Sequence, residues 1–244
     1  MRILAYHEIS DTPADPRHNV RPAAFREQMH WLADHGYTTG NLGEEPADPK
    51  VVGIMFDDGY QDFYHQAWPV LDDLGFTATV FVITDRVGEM VRWYAGERAV
   101  PLLDWSQIQE LARHGVQFGS HTHTHSDLTT LDRERLHQEL RMSRRRLEEA
   151  LGLPSELFSY PFSRVNPAVA RGVQEAGYRY AFRFCPFHPA MGADPYGAFR
   201  GTAVLDGDDI GAFEQKLRGS AQRWVRWRLR QLRAVLRGRP LPDC

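Results

Sequence analysis

Two adjacent carboxylates, Asp57-Asp58, and three alternate imidazoles, His121, His123 and His125, are the residues of this chain whose types and spacing suggest chemistry. The acids close the run Val51-Val52-Gly53-Ile54-Met55-Phe56, apolar and β-branched enough to be a strand buried on both faces. A buried ionised carboxylate is costly unless paired, and a second one beside it adds repulsion. The pair therefore calls for a cation or a shared proton. The imidazoles follow another short run, Val116-Gln117-Phe118. Asp58, His121 and His125 together supply the three protein ligands of a catalytic divalent ion and leave a position for water. Ser120, Thr122 and Thr124 offer hydroxyls to orient the rings, while His123 is expected to face away. Such an ion polarises a carbonyl and lowers the pKa of bound water toward about 7. Asp57, free of the ion, is the candidate base for that water. His7, closing the strand-like run Arg2-Ile3-Leu4-Ala5-Tyr6, is the candidate acid for a leaving amine. Alone, the acids could cap a helix and the histidines could be surface residues. Together they read as metal-assisted hydrolysis of an amide or ester.

The elements that must position these groups alternate. Strands are expected over Arg2–Tyr6, Val51–Phe56, Thr77–Ile83, Val116–Phe118, Leu157–Tyr160, Tyr178–Phe182 and Gly201–Leu205. Between them, helical spacing appears in Phe25, Met29, Leu32 and in Phe63, Ala67, Val70, Leu71. Asp104 is placed to cap a helix through Ile108 and Leu111, and Asn166-Pro167 to open another. Leu136, Leu140, Leu147 and Leu151 mark one face of a long helix whose other face is Arg and Glu. About seven alternations argue a parallel α/β sheet, and the reactive residues all follow strand ends. In α/β barrels that edge holds the active site.

The length of 244 residues suits a single large α/β unit. An apolar fraction of 42%, a charged fraction of 25% and a net charge of −3 are those of a soluble globular protein, with no sign of nucleic-acid binding. Cys185 and Cys244 are too few for a disulfide framework. The start enters a strand directly and no apolar run approaches the roughly 20 residues of a membrane helix, so a cytoplasmic location is expected.

The motifs Met55-Phe56-Asp57-Asp58-Gly59-Tyr60, Ser120-His121-Thr122-His123-Thr124-His125 and Leu157-Phe158-Ser159-Tyr160-Pro161-Phe162-Ser163 resemble the first three motifs of the polysaccharide deacetylases, the NodB-homology domains of carbohydrate esterase family 4. Ala5-Tyr6-His7-Glu8-Ile9 resembles members whose catalytic-histidine motif lies at the N-terminus, as in the bacterial poly-N-acetylglucosamine deacetylases. The resemblance runs from Leu4 to about Leu217. It implies a distorted (β/α)7 barrel and metal-dependent N-deacetylation of a saccharide. Zinc is the first choice of ion, with cobalt, nickel and manganese as alternatives. It implies Asp57 as base, Asp58, His121 and His125 as ligands, His7 as acid and the Phe162 amide as an oxyanion donor. Two positions depart from the pattern. Ser159 stands where many members carry an arginine that orients the base, and Ser163 replaces the usual glycine. No Leu-x-His motif follows, so the acid role rests on His7. Tyr160 and Pro161 are candidates for lining substrate, with barrel packing as the alternative. Trp105 reads as core, or as an aromatic that stacks on a sugar.

Residues 1–219 are assigned to the barrel and 220–244 to a basic tail. In the tail Val225, Leu229, Leu232 and Leu236 line one face of a helix expected over Gln222–Arg239, and arginines fill much of the rest. That pattern suits peripheral contact with an anionic membrane at the inner face, or a last helix packed on the barrel. Two rival functions share the scaffold: opening of a cyclic ureide or imide, and non-catalytic glycan binding.

Overall fold

The structure, a computed structural model, describes residues 1–15, 17–93, 98–185 and 198–218. Seven parallel strands form a nearly closed barrel: β1 (Arg2–Tyr6), β2 (Val51–Phe56), β3 (Thr79–Val82), β4 (Gln117–Ser120), β5 (Leu157–Ser159), β6 (Tyr180–Cys185) and β7 (Ala198–Ala203). Each pairs with the next in chain order, and β1 closes the ring by pairing with both β2 and β7. The seam is thin in places. Phe158↔Ser120 is the one register pair between β4 and β5, and β2 meets β3 only at Met55↔Thr79 and Phe56↔Val80. The short strand Thr38–Thr39 takes up the lower half of the free edge of β2.

Period-two alternation separates two apolar layers. Ile3, Ala5, Met55, Phe81, Leu157 and Phe182 fill the inside of the barrel. Leu4, Tyr6, Ile54, Phe56, Val80 and Val82 point outward under the helices. Gly119 gives the interior its room, since a Cβ there would lie 2.5 Å from the Phe81 ring.

Among the described residues six helices surround the strands: α1 (Pro22–Asp34), α2 (Trp68–Asp73), α3 (Trp105–Arg113), α4 (Arg133–Leu151), α5 (Pro167–Glu175) and α6 (Ile210–Arg218). The expected caps form. Asp104 accepts the Gln107 amide at 2.8 Å and Gln107 returns a bond to the Asp104 amide, a capping box. Asn166 accepts the amides of Ala168 and Val169. The helix expected from Phe63 starts instead as a π-turn, Phe63–Ala67, before Pro69 settles it into α2. Two segments without a periodic signal hold small ribbons, Glu8–Ile9 with Asn19–Val20 and Met90–Val91 with Val100–Pro101. The helix expected in the tail lies outside the described residues. Among the described residues no helix is long and apolar enough to cross a membrane.

Asp62, between β2 and the π-turn, ties down the loop after β1: its Oδ2 accepts the Ile9 amide at 3.0 Å, while its Oδ1 is buried without a partner. Burial, reinforced by Glu8, pushes this carboxyl well above the ordinary range. A raised carboxyl favours the fold at low pH and loses that contribution as pH rises through its folded value. Asp62→Asn keeps an acceptor and stays neutral. Its melting temperature relative to the unaltered chain is expected to rise as pH increases above the ordinary carboxylate range; a constant or falling difference contradicts the assignment.

Candidate active site

Where β2 ends, the Asp57 amide still donates to the Tyr6 carbonyl at 3.0 Å, so the acids start at the barrel rim. Asp58 (φ 72°) and Gly59 (φ 74°) then turn through the left-handed region. Gly59 is needed for room as well, since a Cβ there would meet Val82 Cγ1 at 2.9 Å. Two strands along, the His121 amide donates to the Val82 carbonyl at 2.9 Å, and the chain leaves β4 through Thr122 (φ 69°) and His125 (φ 65°). Thr122 Oγ1 accepts the His125 amide at 3.0 Å and closes this loop on itself.

The result brings the three expected ligands together. Nε2 of His121 and Nε2 of His125 each lie 3.3 Å from Asp58 Oδ1, an oxygen that is buried and accepts no hydrogen bond. The other ring nitrogen of His121 donates to the Ser159 carbonyl at 2.9 Å, so a neutral His121 turns its Nε2 lone pair toward Asp58. Burial holds His125 down at about 4, outweighing the pull of Asp58, so that ring is neutral too. Burial pushes Asp58 up, but His121, His125 and His7 overcome it and keep the carboxyl ionised well below its usual range. For His121 burial works downward, and Asp57 and Asp58 more than reverse it. Two imidazole nitrogens and an anion thus converge on one point that demands positive charge. A proton on His121 meets the demand in part; a divalent cation meets it at all three donors. The nitrogen–nitrogen–oxygen set fits zinc or a related ion.

Asp57 sits beside this cluster, 2% exposed, with Oδ1 unpartnered. Burial raises it to about 6 against the opposing pull of His121. Ser159 is the neighbour on β5, and hydrogen bonding from its hydroxyl also opposes the rise.

His7 reaches the same cavity from β1. Its ring lies edge-on to Phe184 at 4.4 Å and nearly parallel to His18 at 5.0 Å, and its Nδ1 is buried without a partner. Burial lowers it to about 3; Asp58 opposes the shift, while His18, His121 and His125 assist it. His18 is held by Asp15, Nδ1 to Oδ2 at 2.9 Å, and Arg17 Nε binds the other Asp15 oxygen at 2.8 Å. Arg17 and His18 bring Asp15 to about 2 despite the upward push of burial. Glu8 in turn accepts the amides of Ala14 and Asp15, which shapes the loop.

The cavity encloses about 530 Å³. Its floor carries His7, Asp57, Asp58, His121 and His125, and its walls include Tyr60, Trp93, Tyr160, Phe162 and Phe184. Trp93 donates to Tyr60 Oη at 2.5 Å and packs on His125 at 4.9 Å, while the half-exposed Phe162 packs on His125 at 4.7 Å. Tyr160 and Phe162 therefore line the cavity. Pro161 and Trp105 do not: Pro161 is buried in the turn, and Trp105 packs on the core with Arg146 over its ring at 5.9 Å. Sequence reasoning missed Tyr60, Asp15, His18 and Phe184. Trp93 stands beside Tyr94 in the connection from Asp85 to Val100, which carries no periodic signal.

The turn without the usual glycine forms nonetheless. Phe162 (φ 55°) and Ser163 (φ 56°) both take left-handed conformations. The Ser163 hydroxyl donates to the Phe184 carbonyl at 2.5 Å and its carbonyl accepts Arg183 Nε at 2.9 Å, which pins the strained turn to β6.

A family model described as polysaccharide deacetylase matches residues 44–181, a stretch that holds Asp57, Asp58, His121, His125 and Phe162 but not His7. YxkH of Bacillus subtilis (strain 168), assigned to the polysaccharide deacetylases, is 29% identical over 222 residues, covering 81% of this chain and 75% of that one. The poly-beta-1,6-N-acetyl-D-glucosamine N-deacetylase of Escherichia coli (strain K12) is 33% identical over 138 residues, covering 49% of this chain and 20% of that enzyme. Most of that enzyme's length thus has no counterpart here. The solved structure of the Streptococcus pyogenes deacetylase PplD in complex with acetate shares the fold, with a TM-score of 0.77 at 23% identity over 89% of this chain and 98% of that one. With more than half of its length matched by the family model and its motifs standing together at one barrel rim, this chain belongs to the polysaccharide deacetylase family.

Proposed function

We propose that this protein removes acetyl from an N-acetylated sugar of a glycan with the help of a divalent cation, zinc first, held by Asp58, His121 and His125. One observation carries the reading: two imidazole nitrogens aim at a buried, unbonded carboxylate oxygen, with a second buried carboxyl alongside. When bound, the cation polarises the acetamide carbonyl and acidifies a water. Asp57 takes the proton of the attacking water. Its raised pKa makes it a stronger base than an exposed carboxylate, yet leaves it ionised at neutral pH. The Phe162 amide donates to the oxygen that gains charge as the carbonyl carbon becomes tetrahedral. His7 is the proton donor to the amide nitrogen as the C–N bond breaks; burial disfavours its cation, so the proton it passes on is one taken up during the reaction, the water having given its proton to Asp57. Tyr160, Trp93 and Phe162 supply an apolar enclosure for the sugar and its acetyl group.

The name of the E. coli relative suggests poly-β-1,6-N-acetylglucosamine as the first substrate to try. Acetate release would be followed from oligomers of that polymer, chitin fragments and peptidoglycan fragments, before and after chelation. Release from at least one, lost on chelation and restored by zinc, is expected. Ring opening of a cyclic ureide or imide with no acetate from any glycan would favour the rival hydrolase. Ion binding without turnover on any of them would favour a glycan-binding protein.

A further inference from the structure

The loop that carries both histidines is held from outside the barrel by one helix. Glu139 lies on α4 between the buried residues Leu136 and Ser143, on the flank facing β4. Its Oε2 accepts two successive backbone amides, His123 at 3.0 Å and Thr124 at 2.9 Å. Its Oε1 accepts the Thr124 hydroxyl at 2.7 Å. Successive amides beside a left-handed residue, here Thr122, form a concavity suited to an anion, and Glu139 fills it. One turn further along α4, buried Ser143 accepts the Ser120 hydroxyl at 2.8 Å, and Ser120 Oγ accepts the Thr122 amide at 3.1 Å. The loop from Ser120 to His125 is therefore fixed at its base by Ser143 and at its middle by Glu139. Glu139 touches neither histidine ring. Its bonds fall on the residues between them, where they set the direction in which each ring leaves the chain.

We propose that Glu139 is a positioning residue for the cation site: it holds the strained loop with both Nε2 atoms aimed at one point before the ion arrives. The inference rests on the cation reading above and adds a residue to it. Without Glu139, two amides and a hydroxyl lose their acceptor and Thr122 and His125 are free to leave the left-handed region, so ordering the loop falls to the ion. Groups that orient metal ligands typically alter affinity by 10- to 100-fold. The test is zinc affinity of the full chain by competition with a chromophoric chelator, with melting of the ion-free protein as control. Glu139→Ala is expected to weaken zinc by about 10- to 100-fold, and Glu139→Gln, which keeps an acceptor for both amides, to recover most of the loss. A purely structural role would lower ion-free melting and leave affinity alone. A folded Glu139→Ala chain within twofold of the unaltered affinity overturns the proposal. If that variant does not fold, Thr124→Val decides: an affinity loss of about threefold or more supports it, and unchanged affinity overturns it. If the unaltered chain itself takes up no ion, the cation reading fails, and that result is distinct from a failure of Glu139.

Discussion

Asp57→Asn is expected to lower kcat by about 10³-fold while the chain still takes up one cation. The substitution is nearly isosteric, so the turn at Asp58-Gly59 and the three ligands stay in place. What disappears is the capacity to accept a proton from water. A second consequence runs the opposite way. In the ion-free protein Asp57 is raised from 3.8 to about 6 by burial, so it favours the fold below pH 4 and loses that contribution as pH rises through 6. At pH 8 a shift of that size corresponds to roughly 3 kcal/mol of native stability forgone. Asparagine removes the buried charge. The inactive variant should therefore melt at a higher temperature than the parent at pH 8, and the difference should shrink toward pH 4. Acetate release, elemental analysis and melting curves on one preparation read all three effects. An active Asp57→Asn protein would refute the base assignment.

His125→Ala should differ in kind, losing cation and turnover together. It removes one of three donors and leaves a two-ligand site, too few to retain a divalent ion through dialysis. Its ring is also the surface on which Trp93 and Phe162 pack from two sides, so alanine loosens the cavity wall. Circular dichroism separates lost ligation from lost folding. The contrast between the variants is the informative result: one inactive with its ion, the other inactive without it. A folded His125→Ala chain holding stoichiometric ion at parental affinity would remove His125 from the ligand set.

Much of this site could be read before any coordinates because buried charge is expensive. Asp57-Asp58 at the end of an apolar strand has few physical explanations, and His121 and His125 after a second strand narrow them further. The caps at Asp104 and Asn166 were legible for a similar reason, since each satisfies amides that a helix start leaves open. Other features carried no such signal. The Asp15–His18 pair forms in an irregular loop whose path depends on Glu8 gathering the amides of Ala14 and Asp15. Glu139 looks like one more acid on the charged flank of α4, and only the fold shows that its oxygens meet the histidine loop. Trp93 and Trp105 are the same residue type in neighbouring segments of the chain. The ribbon joining Met90–Val91 to Val100–Pro101 swings the first over the cavity, while the register of α3 turns the second onto the core. No periodicity distinguishes those outcomes in advance.

Asp58, Thr122, His125, Phe162 and Ser163 are the non-glycine residues with positive φ among those described, and all five belong to the two loops and the turn around the cavity. Each holds a backbone shape that costs an L-residue on the order of 1 kcal/mol or more. A laboratory selection for heat resistance alone would find relief at these sites, with glycine the easiest replacement. It would keep a sound barrel and dismantle the one region able to work on a substrate. In this chain thermal robustness and catalytic competence draw on the same few residues in opposite directions.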